Sequence, residues 1–291
     1  MSSPDIPGAE SPAILLGSCS WTADGWKPAF YPAGTAQDDY LAYYARRFPT
    51  VEIDATFYRI PSAQTVATWA ERTPPGFIFA AKVPRVITHE KTLREAQDDL
   101  LEFCQIMAPL GPRLGPLLLQ FPYFSREKFS GANAFFDRLR PFLKELPRDY
   151  QWALEIRNRA WLTAEFFDLL ADHGVAFTLI DHPWMPGPGR YGEMERLVTA
   201  PFSYIRWLGD RYKMEEQTTV WNRTIVDRAD DLRQWVDLSR ELLSSANRIY
   251  AYANNHYAGF SPATLREFNE IWGGGLLPPE PDEDSVQPSL F

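Results

Sequence analysis

The sequence predicts an α/β fold in which a chain of 291 residues forms a single (β/α)8 TIM barrel. Short apolar runs recur along the chain, and each is followed by a segment with helical periodicity. This alternation is typical of parallel strands joined by helices. Eight such units in about 260 residues match the usual size of a closed barrel. The main alternative is an open doubly wound sheet, but the GxGxxG turn that often marks that fold is absent from the sequence.

The eight predicted strands are apolar runs rich in Ile, Val, Leu, Phe and Ala. They are Ile14–Cys19, Val51–Thr56, Phe77–Val83, Pro116–Phe121, Trp152–Arg157, Val175–Asp181, Ser203–Leu208 and Arg248–Asn254. Seven further segments place apolar residues three or four positions apart, as helices do. They are 37–48, 62–72, 93–110, 133–146, 163–173, 230–244 and 261–271. The helix expected after the sixth strand, around 192–198, is poorly marked.

The barrel is predicted to span residues 13–274, between two tails rich in Pro, Ser and acidic residues. This composition is typical of disorder, so we expect residues 1–12 and 275–291 to be disordered. The net charge is −9, and removing the six acidic residues of the tails leaves −3 for the body. A body so close to neutral does not support broad, nonspecific binding of nucleic acid, which needs a basic face.

The two cysteines, Cys19 and Cys104, are too few for a disulfide framework, and no CxxC spacing indicates zinc. We expect free thiols in a reducing compartment. The N-terminal residues lack the features of a secretory signal, and no run approaches the ~20 apolar residues of a membrane span. These observations predict a cytoplasmic protein with no membrane partner.

Polar side chains are predicted at the ends of consecutive strands, on the face that points into the barrel. Alternate residues of a strand face opposite sides, and the apolar set must face the helices. The other set then collects at one mouth of the barrel: Glu52, Asp54, Lys82, Gln120, Glu155, Arg157, Asp181, Arg206 and Asn254. Active sites of such barrels lie at this end, so we predict a site here. The alternative is an ion-pair network that satisfies only itself.

Loops that follow the strands add histidines and aromatic residues to the same mouth. Three of the four histidines lie on these loops: His89, His182 and His256. We assign Trp21 and Tyr58 to substrate binding, because a flat ring can stack on a sugar or a base. Asn255, next to Asn254, is added to this group.

Crowded charges of both signs permit acid–base chemistry, because their pKa values can be shifted. The predicted catalytic residues are Glu52, Lys82, Glu155 and Asp181. The predicted substrate-binding residues are Asp54, Tyr58, His89, Gln120, Arg157, His182, Arg206, Asn254, Asn255 and Trp21. A divalent metal is an open alternative, with Glu155, Asp181 and His182 as candidate ligands, although no HxH or HExxH spacing supports it. The sequence does not identify any other cofactor.

Six blocks follow one another between Gly17 and about Trp272. They read GSCSWTADGWKPAFYP, YYARRFPTVEIDATFYRIPS, FIFAAKVPRVITHEK, GPLLLQFP, ALEIRNRAW and YANNH. In this order they closely resemble the domain of unknown function 72 family. The resemblance implies a TIM barrel and, since the family has no established activity, the position of a site without its reaction. Seven rim residues match the family's motifs: Glu52, Lys82, His89, Glu155, Arg157, Asp181 and Arg206. The family often reads RxHG near the seventh strand, and this chain, with Arg206-Trp207-Leu208-Gly209, lacks that histidine.

The chain ends in Gln287-Pro288-Ser289-Leu290-Phe291. This peptide resembles the Gln-x-x-Leu-Phe peptides with which bacterial repair proteins and polymerases dock onto the DNA sliding clamp, although Pro288 departs from the usual Leu. Leu290 and Phe291 would fill apolar pockets and Gln287 would form hydrogen bonds. We therefore predict clamp binding through these three side chains, with a chance match as the alternative.

Three functional hypotheses follow from the sequence. The first is a hydrolase for a phosphorylated or nucleic-acid-derived substrate, with Lys82, Arg157 and Arg206 on the anionic group. The second is an isomerase or lyase for a sugar-like substrate, in which carboxylates move protons or Lys82 forms a Schiff base. The third is a non-catalytic binding module.

Overall fold

Eight parallel strands form a nearly closed barrel in the computed structural model, which describes residues 13–279. The strands are β1 (Ile14–Ser18), β2 (Thr50–Ile53), β3 (Ile78–Lys82), β4 (Leu114–Gln120), β5 (Trp152–Glu155), β6 (Val175–Asp181), β7 (Phe202–Trp207) and β8 (Arg248–Ala253). Hydrogen bonds join them in the order β1-β8-β7-β6-β5-β4-β3-β2, and β2 lies beside β1 to bring the two ends of the sheet together. The predicted (β/α)8 barrel and all eight predicted strands are confirmed.

The connections between the strands are helical. The α-helices are α1 (Trp26–Ala29), α2 (Tyr40–Ala45), α3 (Ala63–Glu71), α4 (Gln97–Met107), α5 (Ala132–Lys144), α6 (Ala164–Ala171), α7 (Pro188–Gly192), α8 (Arg211–Glu215), α9 (Ala229–Leu242), α10 (Asn255–Ala258) and α11 (Ser261–Trp272). Short 3-10 turns cover Gln37–Asp39, Asp54–Phe57, Ala108–Arg113 and Arg159–Trp161, and a π-helical turn covers Val86–Glu90. The longer helices pack apolar faces against the outside of the barrel.

Two helices differ the most from their predicted bounds. The segment predicted from residue 93 begins its helix only at Gln97, because Leu93 and Glu95 have positive φ angles of 68° and 48°, which a right-handed helix excludes. The helix after β6 is α7 rather than a segment at 192–198, and it begins at Pro188, a residue that suits the first helical turn.

The inside of the barrel is filled by small and aromatic side chains. Ala80, Leu118, Ala153 and Ala176 leave room there for the rings of Tyr204, Tyr250 and Tyr252, and all of these residues are buried. Gly17 allows β1 to approach β2 closely, because a Cβ there would lie 2.2 Å from the carbonyl oxygen of Thr50. The packed interior leaves space for a site only at the ends of the strands.

The described chain continues past the predicted end of the barrel body. Leu276 is buried, and its backbone N–H donates to the side-chain oxygen of Asn269 at 2.9 Å. The residues predicted to bind the clamp, Gln287, Leu290 and Phe291, lie outside the described residues, as does the segment 1–12. Cys19 and Cys104 are free and buried. Within residues 13–279, no helix combines the length and apolar character that crossing a membrane requires.

Candidate functional site

The carboxyl ends of the strands surround a cleft of about 700 Å³, which we call the mouth cleft. Nine predicted site residues line it: Asp54, Tyr58, Lys82, His89, Gln120, Arg157, His182, Arg206 and Asn254. They come from the ends of β2 to β8 or from the loops just beyond them, because the inward set of residues on each strand reaches the mouth at that point.

A set of buried, ion-paired charges forms the floor of the cleft. The two Nη atoms of Arg206 lie 2.5 Å from Glu155 Oε2 and 2.6 Å from Glu52 Oε1. The second oxygen of Glu52 accepts the hydroxyl of Tyr204 at 2.7 Å. Arg206 is 2% exposed and both carboxylates are 0% exposed. We call Glu52, Glu155, Arg206 and Tyr204 the floor network.

Glu155 and Arg206 of the floor network stabilise each other's charged forms. Burial alone would raise the pKa of Glu155, but Arg206 and Arg157 outweigh burial and lower that pKa to about 2. Burial lowers the pKa of Arg206, while the two carboxylates raise it, and the net result lies well above its ordinary value. Glu155 therefore stays ionised at neutral pH and cannot donate a proton there. Glu52 and Glu155, predicted to be catalytic, lie beneath the cleft and position arginines.

Arg157 lies above the floor network, where the cleft opens. Its Nε lies 3.0 Å from Glu155 Oε1, and its side chain is 26% exposed. Within residues 13–279, its two Nη groups have no hydrogen-bond partner. The carboxylate thus fixes one edge of the guanidinium and leaves the other edge available for an anion.

Lys82 and Asp54 form a second ion pair at the rim. Lys82 Nζ lies 3.1 Å from Asp54 Oδ1 and 4.0 Å from the centre of the Phe57 ring. Lys82 is mostly buried, whereas the Asp54 side chain is 31% exposed. The pair therefore presents a carboxylate and an ammonium side by side at the cleft.

Two histidines at the cleft are neutral at neutral pH. Burial, followed by the charges of Lys82 and Arg157, lowers the pKa of His89 to about 4. Burial and then Arg157 lower the pKa of His182 to about 4. Nδ1 of His182 accepts the backbone N–H of Trp184 at 3.3 Å, so its ring proton lies on Nε2. Nδ1 of His89 lies 2.9 Å from Thr88 Oγ1.

His256 differs from these two because both its ring nitrogens have partners. Nδ1 lies 2.6 Å from Asn254 Oδ1, and Nε2 lies 3.1 Å from Glu215 Oε1. Asn254 Oδ1 also accepts the backbone N–H of His256, and this hydrogen bond caps the N-terminus of α10. Asn254 and His256 therefore stabilise the loop after β8 at the wall of the cleft.

The predicted inward orientation of Asp181 is wrong. Ala176, Thr178 and Ile180 hold the inward positions of β6, which turns Asp181 towards the helices. Its Oδ2 accepts the indole N–H of Trp235 at 2.8 Å, and burial raises its pKa. Glu155, Asp181 and His182 consequently do not meet as metal ligands. Across residues 13–279, no group of three or more His, Cys, Asp or Glu is placed to hold a metal ion.

Trp21 and Asn255 do not line the mouth cleft itself, although Asn255 lines an adjoining pocket that shares Asp54, Tyr58, Asn254 and His256 with it. Trp21 contacts the edge of Trp69, with ring centres 5.5 Å apart, and lines a separate groove. Asn255 Oδ1 accepts the indole N–H of Trp26 at 3.3 Å and the backbone N–H of Ser261 at 3.0 Å. Trp21 therefore packs between helices, and Asn255 braces the loop before α11.

Sequence reasoning missed two residues at the cleft. Tyr123 follows β4, is 57% exposed and contacts the edge of the Trp184 ring at 6.0 Å. Arg211 follows β7, and its Nε lies 2.8 Å from Glu215 Oε1. Both stand three to four residues beyond a strand end, so a systematic reading of every loop after a strand would have included them.

Comparisons with known proteins agree with this architecture. A family model described as "Protein of unknown function DUF72" matches residues 15–285. The UPF0759 protein YunF of Bacillus subtilis is 25% identical, with 92% of this chain and 99% of YunF aligned. The UPF0759 protein YecE of Escherichia coli K12 is 36% identical over 118 residues, so the match spans only 41% of YecE and 40% of this chain. A DUF72 family protein from Thermotoga maritima MSB8 is 25% identical with a TM-score of 0.71, over 90% of this chain and 100% of that structure.

Proposed function

The chain belongs to the DUF72 family, and we propose that its mouth cleft is the active site of a hydrolase that cleaves a phosphate ester. The observation that carries the proposal is Arg157, whose guanidinium is fixed by Glu155 on one edge and has no protein partner on the other within the described chain. Bidentate binding of a phosphate is the preferred use of such an edge.

The groups around Arg157 supply the remaining requirements of phosphoryl transfer. Lys82 adds a second positive charge at the cleft, and the neutral Nε2–H of His182 can donate to a phosphoryl oxygen. Positioning and charge stabilisation of this kind account for most of the catalysis of such reactions. His89, when its Nδ1–H donates to Thr88, has a free lone pair on Nε2 with which to accept a proton.

The proposed step is hydrolysis by direct attack of water on phosphorus. His89 takes a proton from the attacking water, the P–O bond to the leaving group breaks, and the ammonium of Lys82 protonates the leaving oxygen. Asp54, at 3.1 Å, orients that ammonium. Solvent then returns the proton from His89 to Lys82. Glu52 and Glu155 take no part in proton transfer and position the two arginines.

Titration of the histidines in the presence of inorganic phosphate tests this proposal directly. Phosphate offsets the positive charges that lower the pKa values of His89 and His182, so both pKa values should rise when it binds. His173 lies at the opposite end of the barrel and serves as an internal control in the same NMR spectra. Arg157→Gln should abolish the phosphate effect, and Arg148→Gln, an exposed arginine at that opposite end, should preserve it.

Activity is measured with a small phosphodiester such as bis(4-nitrophenyl) phosphate. Lys82→Met and His89→Gln should each lower kcat/KM by at least roughly 100-fold. A protein that shows no histidine shift with millimolar phosphate, or whose shift survives Arg157→Gln, does not use this edge for an anion, and the proposal fails.

An isomerase or lyase for a sugar-like carbonyl substrate is the second candidate, and the Lys82–Asp54 pair favours it. A lysine beside a carboxylate can attack a carbonyl and form an imine with loss of water. Borohydride treatment with a set of aldose and ketose phosphates would trap that imine on Lys82. Covalent labelling that disappears in Lys82→Met would support this candidate over the hydrolase.

A further inference from the structure

A second pocket, of about 360 Å³, opens beside the mouth cleft between the loops that follow β4 and β5. We call it the side pocket. Tyr123, Arg157 and Trp184 line both spaces, so a ligand bound at Arg157 can extend from one into the other. Apart from Arg157, the proposed hydrolase chemistry makes no use of the residues that line the side pocket.

The side pocket is held open by the protein itself. Asn158 is buried, and its amide forms two hydrogen bonds of 2.9 Å with the backbone N–H and C=O of Phe124. These bonds tie the loop after β4 to the loop after β5. Phe129 and Trp161 pack beneath, so the walls exist before a ligand arrives. A buried amide whose oxygen and nitrogen are both hydrogen-bonded fixes one loop geometry.

The charge of the side pocket is positive only. Arg126 and Arg159 line it together with Arg157, and no acidic residue does. Across the described chain, neither Arg126 nor Arg159 forms an ion pair. Some other exposed arginines do have carboxylate partners: Arg196 with Asp168, Arg211 with Glu215 and Arg233 with Asp230. Three guanidinium groups around one pocket call for a ligand with more than one negative charge.

Two aromatic side chains stand exposed at the boundary between the pocket and the cleft. Tyr123 is 57% exposed and Trp184 is 56% exposed. Their rings meet edge to face, with centres 6.0 Å apart, which leaves ring faces available. Nucleobases stack on such faces whatever their sequence. A neutral sugar would also stack there, but it would leave the three arginines without a counter-charge.

We propose that the side pocket binds the base and flanking phosphates of a short single-stranded oligonucleotide, one of whose phosphodiesters lies on Arg157. This inference rests on the proposed hydrolase function and names its substrate class. The base stacks on Trp184 and Tyr123, and the neighbouring phosphates contact Arg126 and Arg159. The body of the chain carries a charge of only −3 once the six acidic residues of the tails are removed, which does not favour a broad basic binding surface. Binding is therefore local to a few nucleotides and does not extend along a duplex.

The test compares two probes on the full chain: a fluorescently labelled pentathymidylate and dimethyl phosphate, a diester without a base. Pentathymidylate should bind at least roughly tenfold more tightly. Trp184→Ala should weaken pentathymidylate by roughly fivefold or more and leave dimethyl phosphate unchanged. Arg159→Gln should weaken pentathymidylate and reduce the dependence of its affinity on salt. Tyr212→Ala, exposed on α8 and outside the side pocket, and Arg148→Gln are the matched controls and should bind like the parent.

The outcomes separate the two proposals. Equal binding of both probes, or no effect of Trp184→Ala, overturns the oligonucleotide inference while the phosphate ester chemistry at Arg157 stands. Tight, Trp184-dependent binding of pentathymidylate that survives Arg157→Gln, without hydrolysis, supports the side pocket and overturns the active site. Tighter binding of a duplex of about 15 base pairs than of the single strand also overturns the inference, because it would indicate contacts along a duplex backbone.

Discussion

The floor network and the rim contain the same kinds of charged residues, but they differ in how completely those charges are paired. In the floor, Arg206 joins Glu52 and Glu155 at 2.6 and 2.5 Å with almost no exposure to solvent. At the rim, Arg157 keeps an unpaired edge and 26% of its side chain exposed. Buried charges need complete pairing, because an unpaired one costs several kcal/mol. A charge that is left partly unpaired at a cleft is therefore the better guide to function.

Glu155 connects the two regions. One of its oxygens pairs with Arg206 in the floor and the other with Arg157 at the rim. Because the first pair is buried and short, it fixes where the second oxygen lies, and so fixes the guanidinium that the cleft presents. The floor thus acts on function by positioning, which agrees with the general need for a rigid support beneath a site.

The largest expected effect is the loss of stability in Arg206→Met. The substitution leaves the buried carboxylate of Glu52 without a cation and leaves Glu155 with Arg157 alone, and we expect it to lower the free energy of unfolding by about 3–5 kcal/mol. Urea denaturation followed by circular dichroism measures this. Arg196→Met is the matched control, because it breaks an exposed ion pair with Asp168 and should cost at most about 1 kcal/mol.

Adding Glu52→Gln and Glu155→Gln to Arg206→Met should recover a large part of the lost stability, because it removes the uncompensated charges. A single Arg206→Met variant as stable as the control would mean that the floor network is not the buried, mutually dependent unit described above.

The next effect is expected at the rim, in Arg157→Gln. This variant should lower kcat/KM for a phosphodiester by roughly 100- to 1,000-fold, because the donors to the anion are lost. Its free energy of unfolding should change by no more than about 1 kcal/mol, since Glu155 keeps Arg206. Arg157→Lys, which keeps the charge and loses the fork, should retain part of the activity. A loss of stability as large as that of Arg206→Met would show that Arg157 stabilises the fold in the same way as the floor network.

The two regions should also titrate in different pH ranges. The pKa values of His89 and His182 fall from 6.5 to about 4 on folding. The unfolded chain therefore takes up protons that the folded chain refuses, and stability falls as the pH drops from 6.5 to 4. The pKa of Glu155 falls from 4.5 to about 2, so its contribution to stability is present above 4.5 and is lost between 4.5 and 2.

Urea denaturation over a series of pH values checks these ranges. The combined His89→Gln and His182→Gln variant should flatten the curve between pH 6.5 and 4 and leave the decline below pH 4.5. Saturating phosphate should also flatten the upper range if it raises the pKa values of both histidines. A curve that the double variant leaves unchanged would show that other groups cause the upper slope.

The sequence predicted the barrel well because each strand is a compact apolar run between polar loops. It also predicted that Lys82, Arg157 and Arg206 point inward, since their strands alternate clearly. The depth of each residue along its strand was harder to obtain. Glu52 and Asp54 share a face of β2 and its extension, yet one is buried in the floor and the other lies at the cleft, and only the packing of Tyr204 and Arg206 above β2 decides this.

The error at Asp181 has a different cause. The β6 segment VAFTLID is apolar on both faces apart from Thr178 and the terminal Asp181, as expected for a strand buried on both sides. Its pattern therefore does not say which set of residues points inward. The contact of Tyr123 with Trp184 could not be predicted from the sequence either, because the two rings lie on loops more than 50 residues apart in the chain.

The smallest expected effect follows from that corrected orientation. Asp181→Asn keeps an oxygen that can accept the indole N–H of Trp235, and it removes a charge from a site where burial already raises the pKa. We expect the free energy of unfolding to change by at most about 1 kcal/mol and kcat/KM to stay within roughly twofold. Asp54→Asn is the matched variant at the mouth, and because it releases Lys82 it should lower kcat/KM at least roughly tenfold. If Asp181→Asn lowered kcat/KM more than Asp54→Asn does, Asp181 would contribute to activity from the outer side of the barrel. The distinction between paired structural charges and partly unpaired functional charges would then not hold there.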